Sequence, residues 1–477
     1  MNMSIWKNTA SILFGNGIRM ASSFLLVVIV ARRLGSEVMG KYSFILSLFW
    51  IFQTIASMGI QPLIIREVTN QKAKTGAFLV NASFLGILAA LLMGVFMILF
   101  TAVAGYPPDV FQATFWTALA LVFSTAGLIF KSVFIAHEKM ELVLAGMSWE
   151  NASRLLFGCA AVFTKNPVVF LAVSMALSSL AALAVNFLQM RKHITVPVLR
   201  IDPALCRWML GLMPTFAGIS IFNTVFWNTD VLLLSKMTSM EELGHFGAAT
   251  RLVGMFKLIL QSYKVAIQPV AAQAFTKSKA EFQGFFEKSL KYILLLTIPA
   301  AVAMSLLAVP ITRLFFGAEF LASVPILRIY TWLLIPYGAA VVFATFLIAS
   351  HRQKVDLRIN AVSTVACVLM VVPMILKWRS LGAGAGVVLA VFFFMAQQWV
   401  FTDRQLFRIR IWGWIKPIVL ASAGMGLAIY FLRELPLPVL AIAGLVLYFG
   451  ILTGTGSVSW KELRMFLLKK KTNGGQG

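Results

Sequence analysis

Residues 76–104 read GAFLVNASFLGILAALLMGVFMILFTAVA, a run without one ionisable side chain. About 20 apolar residues in a helix cross the roughly 30 Å of bilayer hydrocarbon. A barrel strand would alternate apolar and polar positions, and this run does not. Lipid offers the backbone no hydrogen-bond partners, so a segment of this kind must bond to itself as a helix. The rest of the chain has the same character. Of 477 residues, 60% are hydrophobic and 12% charged, against about 25% charged in soluble domains. The fold class is therefore an all-α polytopic membrane protein with no soluble domain of its own.

Continuous apolar runs place spans at roughly 8–31, 42–61, 76–104, 111–135, 142–164, 167–190, 208–235, 245–270, 289–315, 325–349, 356–376, 381–402, 411–432 and 436–455, about fourteen transmembrane helices in all. Pro and Gly mark several turns, among them Gly105-Tyr106-Pro107-Pro108 and Lys165-Asn166-Pro167. The first run is long and merges into a mature span, so no cleavable signal peptide is read. The net charge of +24 would suggest nucleic acid in a soluble protein. Here the excess falls in short loops between apolar runs. With the N-terminus cytoplasmic, the Lys and Arg of cytoplasmic loops outnumber those opposite by more than two to one. That bias fits an inner-membrane protein with an even span count and both termini inside. Cys159, Cys206 and Cys367 are far apart and show no metal or redox spacing.

An internal repeat is present. Arg32 to Tyr42 reads RRLGSEVMGKY and Lys236 to Phe246 reads KMTSMEELGHF, 204 residues on. Both follow a long apolar span and end in Gly-polar-aromatic. A second echo pairs Phe134-Ile135-Ala136 with Leu347-Ile348-Ala349, each before a basic loop. The repeat predicts two pseudo-symmetric six-helix lobes, 1–195 and 196–405, around a central cavity. Residues 406–477 add two C-terminal helices and a basic tail. Transporters are often built from such repeats, with the substrate site at their interface.

Five cations within the spans are singled out: Arg19, Arg154, Arg251, Lys257 and Lys264. Two acids join them, Glu150 and Asp230. A charge at the bilayer centre costs about 3 kcal/mol or more, so it faces a cavity or a partner. Arg19 and Arg251 lie deepest, and Asn16 shares a helical face with Arg19. The plainer readings stand beside these. Glu150 and Arg154, four apart, are spaced for an ion pair. Asp230 fits a solvated position near the outer end of its span, and Lys257 and Lys264 fit snorkelling to an interface. The surplus of cations points to an anionic ligand, and phosphate suits it because Arg bonds phosphate oxygens in pairs. The basic amphipathic stretch Phe275 to Lys291 reads as a helix on the cytoplasmic lipid surface. No P-loop, metal-ligand cluster or nucleophile-base pair is present, so the chain is not read as an enzyme. It needs no cofactor; proton or sodium coupling is left open, with Asp230 and Glu150 as the acids to test.

Several stretches resemble one family. They are ARRLGSEVMGKYSF after the first span, IREVTNQ at Ile65 to Gln71, the run from Pro214 to Arg251, and Phe316-Gly317-Ala318-Glu319-Phe320 before an apolar helix. Their order and spacing, over almost the whole chain, resemble the Wzx-like polysaccharide flippases. These are the O-antigen translocases of the multidrug/oligosaccharidyl-lipid/polysaccharide exporter superfamily. The resemblance implies translocation of an undecaprenyl-diphosphate-linked oligosaccharide, a surface polysaccharide repeat unit, from the cytoplasmic to the periplasmic leaflet by alternating access. It implies a cavity lined by cations, matched by placement to Arg19 and Arg251, and contact with a polysaccharide polymerase and ligase. Two relatives of the same fold compete with this reading, a multidrug exporter and a flippase of the peptidoglycan lipid precursor. A drug exporter would carry acids in the cavity, against the surplus of Arg and Lys. A membrane glycosyltransferase would need acidic catalytic residues and a large outer loop. A scaffold would have no use for deep cations.

Overall fold

The computed structural model describes residues 2–194 and 200–455, with the backbone alone at 2–16, 18, 19, 214–217 and 219. Every described segment read as a span is helical, and no strand occurs among the described residues. The helices are α1 Asn2–Ser57, α2 Ile60–Asn70, α3 Thr75–Val103, α4 Pro108–Ala136, α5 Met140–Ala160, α6 Pro167–His193, α7 Pro203–Phe226 and α8 Thr229–Met237. They continue as α9 Met240–Lys277, α10 Lys279–Leu306, α11 Ala308–Phe316, α12 Val324–Tyr330, α13 Leu334–Ala349, α14 Gln353–Gln405, α15 Trp412–Phe431 and α16 Leu437–Gly454. Eight of the described helical segments are long and apolar enough to cross a membrane. A ninth is the broken pair 20–57 and 60–70, bent by 41°. The protein is a multi-pass membrane protein.

Where loops are expected, several helices instead bend. Spans 1 and 2 share α1, broken only at Gly35 (φ 81°, ψ −179°). The charges read as a loop there stay on helix. Lys41 pairs with Glu37 and with Asp109 at the start of α4, both at 2.7 Å. Spans 11 and 12 share α14, broken at Arg379 (φ 51°, ψ −130°). Beyond the break the helix returns along itself: a Cβ at Gly386 would stand 2.9 Å from the Val371 Cα.

The described chain forms two compact units, Met1–Arg251 with Asn360–Gly386, and Leu252–Ile359 with Val387–Gly477. In the first, α4 packs against α3 and α6. Thr114, Thr117 and Thr125 on α4 donate to the carbonyls of Val110, Ala113 and Leu121 at 2.8 Å, which satisfies their hydroxyls without water. In the second, the rings of Phe286, Phe343, Phe346 and Phe407 interlock, with Phe286 lying 5.1–5.2 Å from each of the others. Such spacing is favourable for aromatic pairs. This cluster corrects the reading of Phe275 to Lys291. The segment is the end of α9 and the start of α10, joined through Ser278, whose hydroxyl accepts from the Glu281 N–H at 3.1 Å. Its apolar face, Phe282, Phe286 and Leu290, is buried in protein, so lipid does not receive it.

The shorter sequence echo has a geometric counterpart. After Ala136, the Lys139 N–H bonds the Phe134 carbonyl and the Glu138 N–H that of Ile135, both at 2.9 Å. After Ala349, Arg352 bonds Leu347 and His351 bonds Ile348 in the same pattern, at 2.9 and 3.1 Å. Each is a helix-ending motif whose closing residue is normally glycine. Here Glu138 and His351 both stand at φ 58°. A side chain in the left-handed region costs about 1 kcal/mol. We therefore expect Glu138→Gly and His351→Gly each to raise stability by about 1 kcal/mol, read as a higher melting temperature of the purified protein in detergent. An unchanged or lower value for both would contradict the strain.

Candidate functional site

The two copies of the long repeat meet inside the first unit. A Cβ at Gly40 would stand 1.8 Å from the Met240 carbonyl oxygen, and one at Gly244 would stand 1.8 Å from the Ser36 carbonyl oxygen. Gly244 is the repeat equivalent of Gly40, and Met240 of Ser36. The contact is thus reciprocal: each glycine receives the carbonyl that its counterpart's copy presents. Neither position has room for any side chain, so α1 and α9 cross backbone against backbone. One turn further on, Ser43 faces Gly247.

Beside this crossing lies Tyr42, buried at 3% exposure. Arg154 and Arg251 both act electrostatically on its hydroxyl. Arg154 lies on α5 and donates through Nε to the Ser178 hydroxyl of α6 at 3.4 Å. Its Nη2 stands 3.6 Å from Glu150 Oε1. Glu150 Oε2 accepts from Lys131 Nζ of α4 at 2.7 Å. The spacing of Glu150 and Arg154 is thus realised as an ion pair, and Lys131 joins it. Lys131 lies inside the run read as span 4, and α4 continues beyond it to Ala136. Among Lys131, Arg154, Arg251 and Glu150, cations exceed the carboxylate by two. The three paired side chains keep 17–20% exposure.

Asp230 is not solvated. It is 4% exposed, in the first turn of α8 just after the break from α7. Its Oδ1 accepts from the Val231 N–H at 2.8 Å, and it acts electrostatically on the buried thiol of Cys367. The backbone of Asn16 and Arg19 lies on α1, but their side chains fall outside the described residues.

In the second unit, Lys257, Gln261 and Lys264 lie along one face of α9. Lys257 Nζ sits over the Tyr337 ring, 5.1 Å from its centroid, and Gln261 donates to the Tyr337 hydroxyl. Lys264 acts on Asp356 of α14, which is 4% exposed and 3.5 Å from Gln398 Nε2. Sequence reasoning missed Asp356 and Gln398. The signal available was an acid at the opening of an otherwise acid-free apolar run. Lys131 was legible too, since it lies inside the run read as span 4. No group of three metal-ligating side chains occurs among the described residues.

Bent apolar helices around a half-buried, cation-rich polar seam define a membrane transport protein. A family model described as polysaccharide biosynthesis protein matches residues 5–275, more than half of the chain, and the chain belongs to that family. A model described as MatE matches residues 216–374. The probable low-salt glycan biosynthesis flippase Agl15 of Haloferax volcanii is 22% identical over 386 residues, covering 79% of this chain and 78% of that one. Among solved structures, the lipid II flippase MurJ in an inward closed conformation superposes with a TM-score of 0.78 at 16% identity, covering 94% of this chain and 98% of that one. A multidrug resistance MATE transporter in an inward-facing conformation gives 0.68 at 13% identity, covering 81% and 94%. A transporter from Pyrococcus furiosus, described as having a binding pocket of reverse polarity, gives 0.59 at 14% identity, covering 84% and 95%. These likenesses show the fold that the chain shares with the three structures.

Removing the shared carboxylate tests the cluster. Glu150→Gln leaves Lys131 and Arg154 half-buried without a counter-charge. We expect a loss of about 2 kcal/mol, below the 3–5 of a fully buried pair, read by thermal unfolding in detergent. Lys131→Met in the same background should recover part of it. Full stability of the single variant would show that the ion pairs carry no weight.

Proposed function

We propose that the chain is a flippase for a lipid-linked oligosaccharide. The observation that carries this reading is the surplus of half-buried cations on Lys131, Arg154 and Arg251 beside the repeat crossing. Glu150 keeps Lys131 and Arg154 in place, and Arg251 remains to meet an anion. A diphosphate linking sugar to lipid supplies that anion, and guanidinium groups replace the water its oxygens lose. The cargo is an undecaprenyl-diphosphate-linked repeat unit of a surface polysaccharide such as O-antigen, moved from the cytoplasmic to the periplasmic leaflet of the inner membrane. Its lipid tail stays in the bilayer. Both termini are cytoplasmic and about fourteen spans cross the membrane. The halves 1–195 and 196–405 rock, with 406–477 appended, and a polymerase and ligase receive the product. A negative cell interior favours outward movement of an anion by about 2.3 kcal/mol per charge per 100 mV. Asp230, Glu150 and the newly found Asp356 are the acids to test for proton or sodium coupling. Arg19, Asn16, Lys257 and Lys264 complete the residues assigned to the cargo's path.

Rocking requires the Gly40–Gly244 crossing to open. Ser43 and Gly247 provide a lock, because a Cβ at 247 would stand 3.3 Å from the Ser43 Cβ, close to the roughly 3.5–4.5 Å of a disulfide. Ser43→Cys with Gly247→Cys should flip lipid-linked oligosaccharide in proteoliposomes when reduced and stop when oxidised. Normal flipping by the oxidised protein would refute the rocking motion. In cells lacking the native gene, Arg251→Ala at normal membrane levels should leave the complete oligosaccharide-lipid on the cytoplasmic leaflet, with surface glycan reduced at least tenfold. Undiminished glycan would remove Arg251 from the cargo's path.

A further inference from the structure

The two ends of α14 that belong to the second unit leave a groove of about 310 Å³ between them. Its walls are Val355, Ile359, Val400 and Phe401, and two guanidinium groups, Arg358 and Arg404, line it with them. Neither residue forms an ion pair among the described residues, and both are exposed. The neighbouring acids are engaged elsewhere. Asp356 is buried near Gln398. Asp403 accepts from the Ile409 N–H at 2.9 Å and pairs with Arg408 at 3.4 Å. A third cation, Arg352, lies 5.4 Å from the centroid of the Phe401 ring. Val400 is 47% exposed, so the groove is open at the side of the helix pair.

We propose that this groove holds an anionic phospholipid of the bilayer. Its phosphate lies between Arg358 and Arg404, and the first methylenes of one acyl chain lie along Val355, Ile359 and Val400. Charge complementarity carries the assignment: two exposed arginines without an ion-pair partner among the described residues line the groove together with Val355, Ile359, Val400, Phe401 and the uncharged Gln397 and Gln405. Basic pockets between transmembrane helices on the cytoplasmic side hold lipid headgroups in this way. The volume is at the small end of the roughly 300–1,000 Å³ of ligand pockets, enough for a headgroup and the start of a chain. The groove shares no lining residue with those assigned to the cargo's path and stands whatever that cargo is. It ties the ends of the α14 hairpin to a lipid whose headgroup stays in one leaflet.

The test is native mass spectrometry of the full chain in detergent with phosphatidylglycerol or phosphatidylcholine added. The wild type should retain phosphatidylglycerol and release phosphatidylcholine. Each basic residue near an anionic surface is worth roughly fivefold in affinity, so Arg358→Gln with Arg404→Gln should weaken retention about 25-fold. Val400→Trp fills the groove and keeps both charges, and should cause a similar loss. Phosphatidylglycerol should raise the melting temperature of the wild type and of neither variant. Equal retention of the two lipids by the wild type, or undiminished retention by the double variant, would overturn the proposal. So would displacement of phosphatidylglycerol by a lipid diphosphate, which would make the groove part of the cargo's path.

Discussion

The backbone-on-backbone crossing of Gly40 and Gly244 is the constraint on which the rest of the first unit depends. A helix in lipid has no hydrophobic force drawing it to another helix, so association rests on close packing and on polar contacts. Two glycines at equivalent places in a repeat let α1 and α9 approach until a carbonyl of each fills the space of the other's missing side chain. Such a contact is all-or-none: it has no tolerance for a side chain and no intermediate spacing that keeps its packing. That property suits a junction which must be either closed or open. It also sets the position of Tyr42, two residues past Gly40, and through it the surroundings of Arg154 and Arg251.

The polar network around Tyr42 has a charge logic that neutral packing would not need. A charge far from water survives by pairing, and Glu150 pairs with two cations from two different helices. The bridge therefore ties α4 to α5, while Ser178 ties α6 to the same arginine. What remains after pairing is a positive excess on side chains that are only partly buried. In the second unit, Lys257 and Lys264 are handled differently. One meets the face of an aromatic ring and the other a buried acid. The two units thus carry cations in distinct settings, one left with spare charge and one with its charge met locally.

Much of this was legible in the sequence because lipid imposes strong rules on composition. Helical class and the repeat follow from the length and spacing of apolar runs such as 76–104. The partner of Glu150 was half legible. Arg154 lies one turn away on the same helix, whereas Lys131 comes from another helix, and only packing brings it near. The breaks at Gly35 and Arg379 escaped because helix persists through charged stretches once side chains such as Lys41 find carboxylates. The segment from Phe275 to Lys291 has the amphipathic pattern of a membrane-surface helix. That pattern states that one face is apolar and leaves open whether lipid or protein covers it; here the rings of Phe286, Phe343, Phe346 and Phe407 do. The meeting of Gly40 with Gly244 was implicit in the repeat, yet a repeat shows equivalence and not contact.

The proposed flippase function rests on cations that would meet a phosphorylated cargo. The most direct measurement compares flipping, in proteoliposomes, of one oligosaccharide carried on a lipid diphosphate and on a neutral lipid of the same chain length. The account predicts that only the diphosphate form crosses at a rate above protein-free vesicles. Equal rates for the two forms would show that the positive seam has no part in choosing what the protein moves.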